Sequence, residues 1–156
     1  MKIKIKTFGN TKLPKIIKKG DCIDLTIRSV ERKTNSNTYF YKLGIAVELP
    51  KGMIAKVYPR SSTFKNYGII LTDSVGIIDN TYSSDEDEWG AMVYKLDRKL
   101  PNPEVLQDMV FQFEICPSQF ATRMQKLKWL FTNKIEIEQV TKLTNKTRGG
   151  YGSTGK

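Results

Sequence analysis

Apolar and polar residues alternate with a period of two over several short stretches of this chain, the spacing that puts successive side chains on opposite faces of a strand. Residues 2–7 (KIKIKT) alternate strictly, with Ile3 and Ile5 on one face and Lys2, Lys4 and Lys6 on the other. Residues 22–28 form a short run rich in Ile, Leu and Thr; 39–49 (YFYKLGIAVEL) and 53–58 follow, separated by the turn signal Pro50-Lys51-Gly52. Further strands are predicted at 69–71, 76–78, 91–96 and 134–140. Short strands at close spacing with turn punctuation predict an all-β sandwich or barrel. Helix is expected as a single turn at 62–66 and, with a weaker pattern, around 104–113 or 117–129. Residues 83–88 (SSDEDE) read as an acidic loop and 98–103 (RKLPNP) as a proline-rich break.

Length and composition narrow the class. With 156 residues, 39% of them hydrophobic and 27% charged, the chain has the make-up of one globular domain with its own core. No apolar run reaches membrane-spanning length, and the N-terminus lacks the hydrophobic block of a signal peptide. The expected setting is therefore cytoplasmic, within a host cell if the chain is phage- or virus-encoded. Cys22 and Cys116 have no metal-ligand spacing and read as small hydrophobes of a reduced compartment. Histidine is absent, which removes Ser-His and Cys-His nucleophilic machinery and histidine-ligated zinc. The formal net charge of +10 attracts polyanions, whether nucleic acid or a small nucleotide; the lysines are scattered rather than gathered on one helical stripe.

Four segments carry candidate chemistry. Arg60-Ser61-Ser62 stands where a strand gives way to a helical turn, offering a guanidinium, two hydroxyls and helix N-terminal N–H groups to an oxyanion; a serine N-cap is the plainer reading. In 76–82 (GIIDNTY), Ile77 and Ile78 would bury a strand that delivers Asp79 at its end, placed to polarise water as a general base, with Tyr82 three residues on. An Asp-Asn turn with a core tyrosine reads equally well from the residues alone. Asp24 interrupts the apolar run 22–25 and needs a cation or several hydrogen-bond donors; an arginine, as a structural ion pair, or the hydration shell of Mg²⁺ would serve. The last nine residues, RGGYGSTGK, combine glycines that allow N–H groups to converge on an anion with Arg148 for phosphate and Tyr151 for stacking.

Together these segments resemble, over nearly the whole chain, the trimeric all-β dUTP pyrophosphatases (dUTPases), whose five motifs occur here in order. The first falls at 20–25 (GDCIDL), the second is Arg60-Ser61-Ser62, and the third is 76–82. The fourth is matched to Arg123, and the fifth is the tail from Arg148. The stretch 44–52 (GIAVELPKG) also looks like a strand and turn of that family. The resemblance implies a distorted jelly-roll (β-clip) sandwich, residues 1–147 being one domain and 148–156 a flexible glycine-rich lid, assembled as a homotrimer with three shared sites.

It implies Mg²⁺-dependent hydrolysis of dUTP to dUMP and pyrophosphate, with Asp79 activating the water that attacks the α-phosphorus and Tyr82 packing on deoxyribose. Arg60, Ser61 and Ser62 would contact phosphates, and Asp24 would hold Mg²⁺ through water. Asp73, Gly76, Ile77, Ile78, Arg123 and Lys126 complete the inner substrate contacts. Arg148, Gly149, Gly150, Gly152, Ser153 and Thr154 would close over the triphosphate while Tyr151 stacks on uracil.

Three departures mark this chain. Asp73 occupies a hairpin position where the family usually has asparagine; an ionised carboxylate only accepts, so it could take the N3–H of uracil or the amino group of cytosine. Lys126 stands where the fourth motif, Arg-x-x-Gln, has glutamine. About fifteen extra residues within 97–122 are expected to form a surface excursion or a contact for a protein partner. Two alternatives are a catalytically altered member acting as a regulatory module and a relative acting on dCTP. A general DNA-binding role ranks last.

Overall fold

The computed structural model describes residues 1–16, 20–33, 37–132, 134–147 and 149. Among them the chain forms β1 (Lys2–Thr7), β2 (Ile23–Thr26), β3 (Ser29–Arg32), β4 (Thr38–Lys42), β5 (Ile45–Glu48) and β6 (Met53–Pro59). The helix α1 (Thr63–Tyr67) leads to β7 (Ile69–Leu71), β8 (Gly76–Asp79), β9 (Gly90–Lys95) and β10 (Met109–Pro117), and α2 (Arg123–Leu130) precedes β11 (Glu136–Gln139). Three sheets result, with strand orders β11-β1-β5, β2-β10-β6-β8 and β3-β4-β9-β7. All pairings between these strands are antiparallel except β1 with β11. The all-β expectation holds.

The core follows from alternation. On β10, Phe111, Phe113 and Ile115 turn inward while Gln112 and Glu114 lie on the other face. Phe113 meets Trp89 edge-on, with centroids 5.1 Å apart, and Phe111 meets Tyr41 on β4 at 6.1 Å. These aromatic contacts join the β10 sheet to the β4 sheet. The alternation of β1 is realised as well. Ile3 and Ile5 are fully buried, whereas Lys2, Lys4 and Lys6 pair with Glu138, Glu48 and Asp85 at 3.1, 2.8 and 3.3 Å. Much of the basic N-terminus is thus spent on partners within the chain.

Four expectations need correcting. The apolar run 39–49 is not one strand but β4 and β5 in different sheets. Gly44 turns the chain at φ +71°, where an added Cβ would lie 2.1 Å from Thr11 Oγ1. Residues 22–28 likewise break before Arg28, and Ser29 starts β3 against β4. Residues 104–113 are not helical: after a turn in which Asp108 N–H bonds the Glu104 carbonyl, Met109 enters a nine-residue strand. Because β10 lies between β2 and β6, the stretch 97–122 cannot be surface excursion throughout. Its surface part narrows to 97–108 and the turn after Pro117. The first of these is stapled by the largely buried Lys95, whose Nζ donates to Leu100 O, Pro101 O and Asn102 Oδ1 at 2.9, 2.7 and 3.2 Å.

Candidate active site

β6 ends at Pro59 because the next residues turn into α1, and that junction carries Arg60, Ser61 and Ser62. The Arg60 backbone N–H bonds Val110 O at 3.0 Å, and Thr63 Oγ1 donates to the same carbonyl at 2.6 Å, fixing the turn against β10. Ser62 is the N-cap residue, yet its side chain makes no capping bond, and both serines are exposed. The plain capping role is therefore not what occupies the Ser62 hydroxyl.

Arg60 Nε lies 3.1 Å from Asp24 Oδ1, and its Nη1 donates to Met109 O at 3.2 Å. Asp24 has thus found the arginine that was one of its two expected partners. Between them sits a residue the sequence reading missed. Gln112 on β10 is opposite Asp24 on one side and Tyr58 on the other, with Nε2 3.5 Å from Pro59 O. Its sequence signal was a polar position in the alternating run VFQFEI, hidden by reading that stretch as helix.

A cavity of about 500 Å³ opens beside this cluster, bordered by Asp24, Lys12, Lys15, Leu106 and Met109. No group of three His, Cys, Asp or Glu side chains gathers to hold a metal among the described residues. A single, largely buried carboxylate beside a phosphate-type cluster does fit Mg²⁺, which keeps several waters and takes one or two carboxylates plus substrate phosphates.

Asp79 lies elsewhere. It ends β8 opposite Ile54, while Gly76 is opposite Val57. From Ile54 to Arg60 the strand runs about 20 Å at about 3.3 Å per residue, so one chain does not bring Asp79 to Arg60 and Asp24. Asp79 Oδ1 accepts bonds from Thr81 N and Thr81 Oγ1 at 2.8 and 2.6 Å, an Asx turn that fixes the carboxylate. Tyr82 packs partly on the core, and its hydroxyl donates to Glu88 O at 3.1 Å. The plain reading of this segment, a turn at Asp79 with a tyrosine packed on the core, therefore holds structurally. One detail is corrected: Ile77 does not bury the strand but is 65% exposed, because β8 is an edge strand with an open outer face. Asp73 sits exposed in the β7–β8 turn, where Val75 N–H bonds its carbonyl at 2.6 Å and Ser74 adopts φ +61°.

The acidic stretch 83–88 is the expected loop, and it is packed against the body of the chain. Ser83, Ser84 and Asp87 are buried. Glu88 grips Arg28 with two 2.7 Å bonds and accepts Gly44 N–H at 3.0 Å. The segment before the tail lies along this loop: Leu143 N–H bonds Asp85, Asn145 Nδ2 bonds Ser83 Oγ, and Thr147 Oγ1 bonds Asp87 at 2.6, 2.9 and 2.8 Å. The loop downstream of Asp79 and Tyr82 is thus the mooring of the C-terminal segment.

Two carboxylates of this mooring titrate below their ordinary range. The Lys4 hydrogen bond lowers Glu48, which also accepts from Thr144, and the Leu143 N–H lowers Asp85; burial opposes both. A carboxylate lowered on folding stabilises the fold above its unfolded value and loses that contribution as pH falls through its folded value. The window therefore opens below the ordinary values of 4.5 for Glu48 and 3.8 for Asp85. Hydrogen exchange at 143–144 is expected to accelerate in that acidic range before exchange in β10 does; simultaneous loss would refute a separate mooring.

Arg123 and Lys126 stand on α2, whose capping box pairs Thr122 with Gln125 and whose Gln125 Nε2 donates to Lys51 O at 3.2 Å. That contact puts α2 at the Met53 end of β6, away from Arg60, since Met53 pairs with Pro117. The glutamine beside Arg60 and Asp24 is Gln112, in Met109-Val110-Phe111-Gln112, so β10 rather than α2 supplies the Gln of an x-x-x-Gln pattern at the cluster. Of the tail, Gly149 has φ +81° and its N–H donates to Thr147 Oγ1 at 3.2 Å. Arg148, Gly150, Tyr151, Gly152, Ser153 and Thr154 lie outside the described residues.

No family model matches the chain. It is 37% identical, over 99% of both chains, to the SPbeta prophage-derived deoxyuridine 5'-triphosphate nucleotidohydrolase of Bacillus subtilis. It is 30% identical to the deoxyuridine 5'-triphosphate nucleotidohydrolase of Anaplasma marginale, over 73% of this chain and 67% of that one. Among solved structures, the dUTPase of Streptococcus mutans superposes with a TM-score of 0.61 at 19% identity, covering 72% of this chain and 94% of that one. A dUTPase of phage phi11 of S. aureus, a structure described as revealing coordination of a structural Mg(II) ion, superposes with a TM-score of 0.58 at 14% identity, over 74% and 90%. The folds are alike, and the expected jelly-roll type of sandwich is met.

Proposed function

Since the chain belongs to the deoxyuridine 5'-triphosphate nucleotidohydrolase family, we propose that it hydrolyses dUTP to dUMP and pyrophosphate with Mg²⁺, as a homotrimer. One observation carries the assembly: Asp24, Arg60 and Gln112 cluster at one end of β6 while Asp79 stands at the other. A site needing both a phosphate cradle and a base is then completed by a neighbouring copy. The open outer face of β8, with Ile77 exposed, suits such a contact.

Arg60, with the hydroxyls of Ser61 and Ser62, binds the phosphate oxygens and offsets their charge. Gln112 lies beside that cradle and orients it. Asp24 holds Arg60 in place and would accept hydrogen bonds from the water shell of Mg²⁺, an ion that would supply neutralisation of the triphosphate charge. Asp79, held by Thr81, takes a proton from the attacking water at a carboxylate oxygen as the water oxygen bonds the α-phosphorus and pyrophosphate leaves. Tyr82, tied to Glu88, presents its ring to the deoxyribose. Asp73 faces the base from the β7–β8 turn. Arg148 and the glycines that follow close over the triphosphate, with Tyr151 on the base. Lys126 and Arg123 stay as outer candidates for the Asp79 end.

The reading is tested by pyrophosphate release from dUTP, dCTP, dTTP and UTP with Mg²⁺, alongside sedimentation of the full chain. Turnover confined to dUTP by a trimer is expected. A folded trimer without turnover would favour the regulatory alternative, and ammonia from dCTP the deaminating one. Deleting 148–156 is expected to cut dUTP turnover by about 10²-fold or more, the scale lost with transition-state contacts, while leaving the melting temperature unchanged. Unaltered turnover would remove the lid from the mechanism.

A further inference from the structure

α2 is apolar on two opposite sides. Its inner side is accounted for: Gln125 bonds Lys51 O and Trp129 packs against the core. Its outer side carries Met124 and Leu127, with Phe131 at the C-cap, spaced i, i+3 and i+7 so that they form one stripe. Phe120 extends the stripe before the helix and Leu130 flanks it; these five side chains are between 45 and 86% exposed. Isolated exposed hydrophobics are ordinary, but five bulky ones within twelve residues mark a docking surface.

Charge selects the occupant. Residues 118–134 contain Arg123, Lys126, Lys128 and Lys134 and no Asp or Glu. Lys134 is paired with Glu136 at 2.9 Å, but none of the ion pairs among the described residues involves Arg123, Lys126 or Lys128. A second copy docking through its own α2 would set another cationic stripe against the first. A phosphate backbone would answer the cations and leave Met124, Leu127 and Phe131 in water. We propose that the outer face of α2 docks an acidic amphipathic helix of another protein, its apolar edge on Met124, Leu127 and Phe131 and its carboxylates facing the flanking cations.

The probe is a fluorescent glutamate-rich synthetic peptide with leucines at i, i+3 and i+7, titrated onto the full-length protein beside an isomer with the leucines scattered. The patterned peptide is expected to bind at least about tenfold tighter than the isomer. Binding should fall at least about tenfold in Met124→Ser/Leu127→Ser/Phe131→Ser, with sedimentation and dUTP turnover unchanged. Lys128→Glu, a surface change that spares the apolar stripe, should weaken binding and flatten its salt dependence. Equal binding of the two peptides, or no effect of Lys128→Glu, overturns the proposal. So does capture by phosphatidylserine vesicles without peptide binding, or a change of assembly size in the triple variant, which would give the stripe to a lipid surface or to a second copy.

Discussion

Asp79→Asn is expected to lower kcat for dUTP by about 10²–10⁴-fold, the contribution of a positioned general base, with KM little changed. The substitution is nearly isosteric. An asparagine Oδ1 can still accept the two bonds that Thr81 donates to Asp79 Oδ1, so the turn and the path to Tyr82 should survive. What is lost is the capacity to receive a proton, because a carboxamide oxygen is far too weak a base at neutral pH. Pyrophosphate release under single-turnover conditions measures the chemical step, and sedimentation shows whether the assembly persists. A variant with near-normal turnover would assign the base elsewhere. If KM alone rises, Asp79 binds substrate and does not activate water.

Phe113→Ala is expected to cost about 3–5 kcal/mol of stability, the range for truncating a buried phenylalanine. Phe113 has no exposed surface, and its ring meets Trp89 edge-on at 5.1 Å, across the gap between the β10 and β4 sheets. Against a typical margin of about 5–15 kcal/mol for a whole domain, that loss is severe. It should appear as a lower urea midpoint at nearly constant slope. Activity should fall at temperatures where the wild type still works, since Gln112 is the adjacent residue on the same strand. An unchanged midpoint would mean that the inter-sheet aromatic contact contributes little.

Local pattern foretold what local physics controls. Strict alternation in 2–7 produced β1 with Ile3 and Ile5 buried, and the one-turn helix at 62–66 appeared as α1 shifted by one residue. The junction Arg60-Ser61-Ser62 and the turn after Asp79 were legible because strand ends and Asx turns are made by neighbours in sequence. The run 39–49 was misread because periodicity does not reveal a change of sheet; only Gly44, at φ +71° against Thr11 and Glu88, makes it. Residues 109–113 were misread because the apolar spacing of MVFQF suits either element over a short run, and the neighbours β2 and β6 decided for strand. The acidic stretch 83–88 was legible as a loop, but not its burial, because its partners, Arg28, Lys6, Leu143, Asn145 and Thr147, are far away in sequence.

By itself, the sequence determined the β-rich class, the chemistry on offer without histidine, and the family, since alternation, residue type and motif order are properties of short segments. The tertiary structure decided which of those segments meet. It joined Asp24 to Arg60 and set Gln112 beside them, and it moored 143–147 on the loop after Tyr82. It also put Asp79 at the far end of β6. The reason is geometric. A strand of six residues spans about 20 Å, so register and sheet order, which no local pattern encodes, fix what lies within bonding distance.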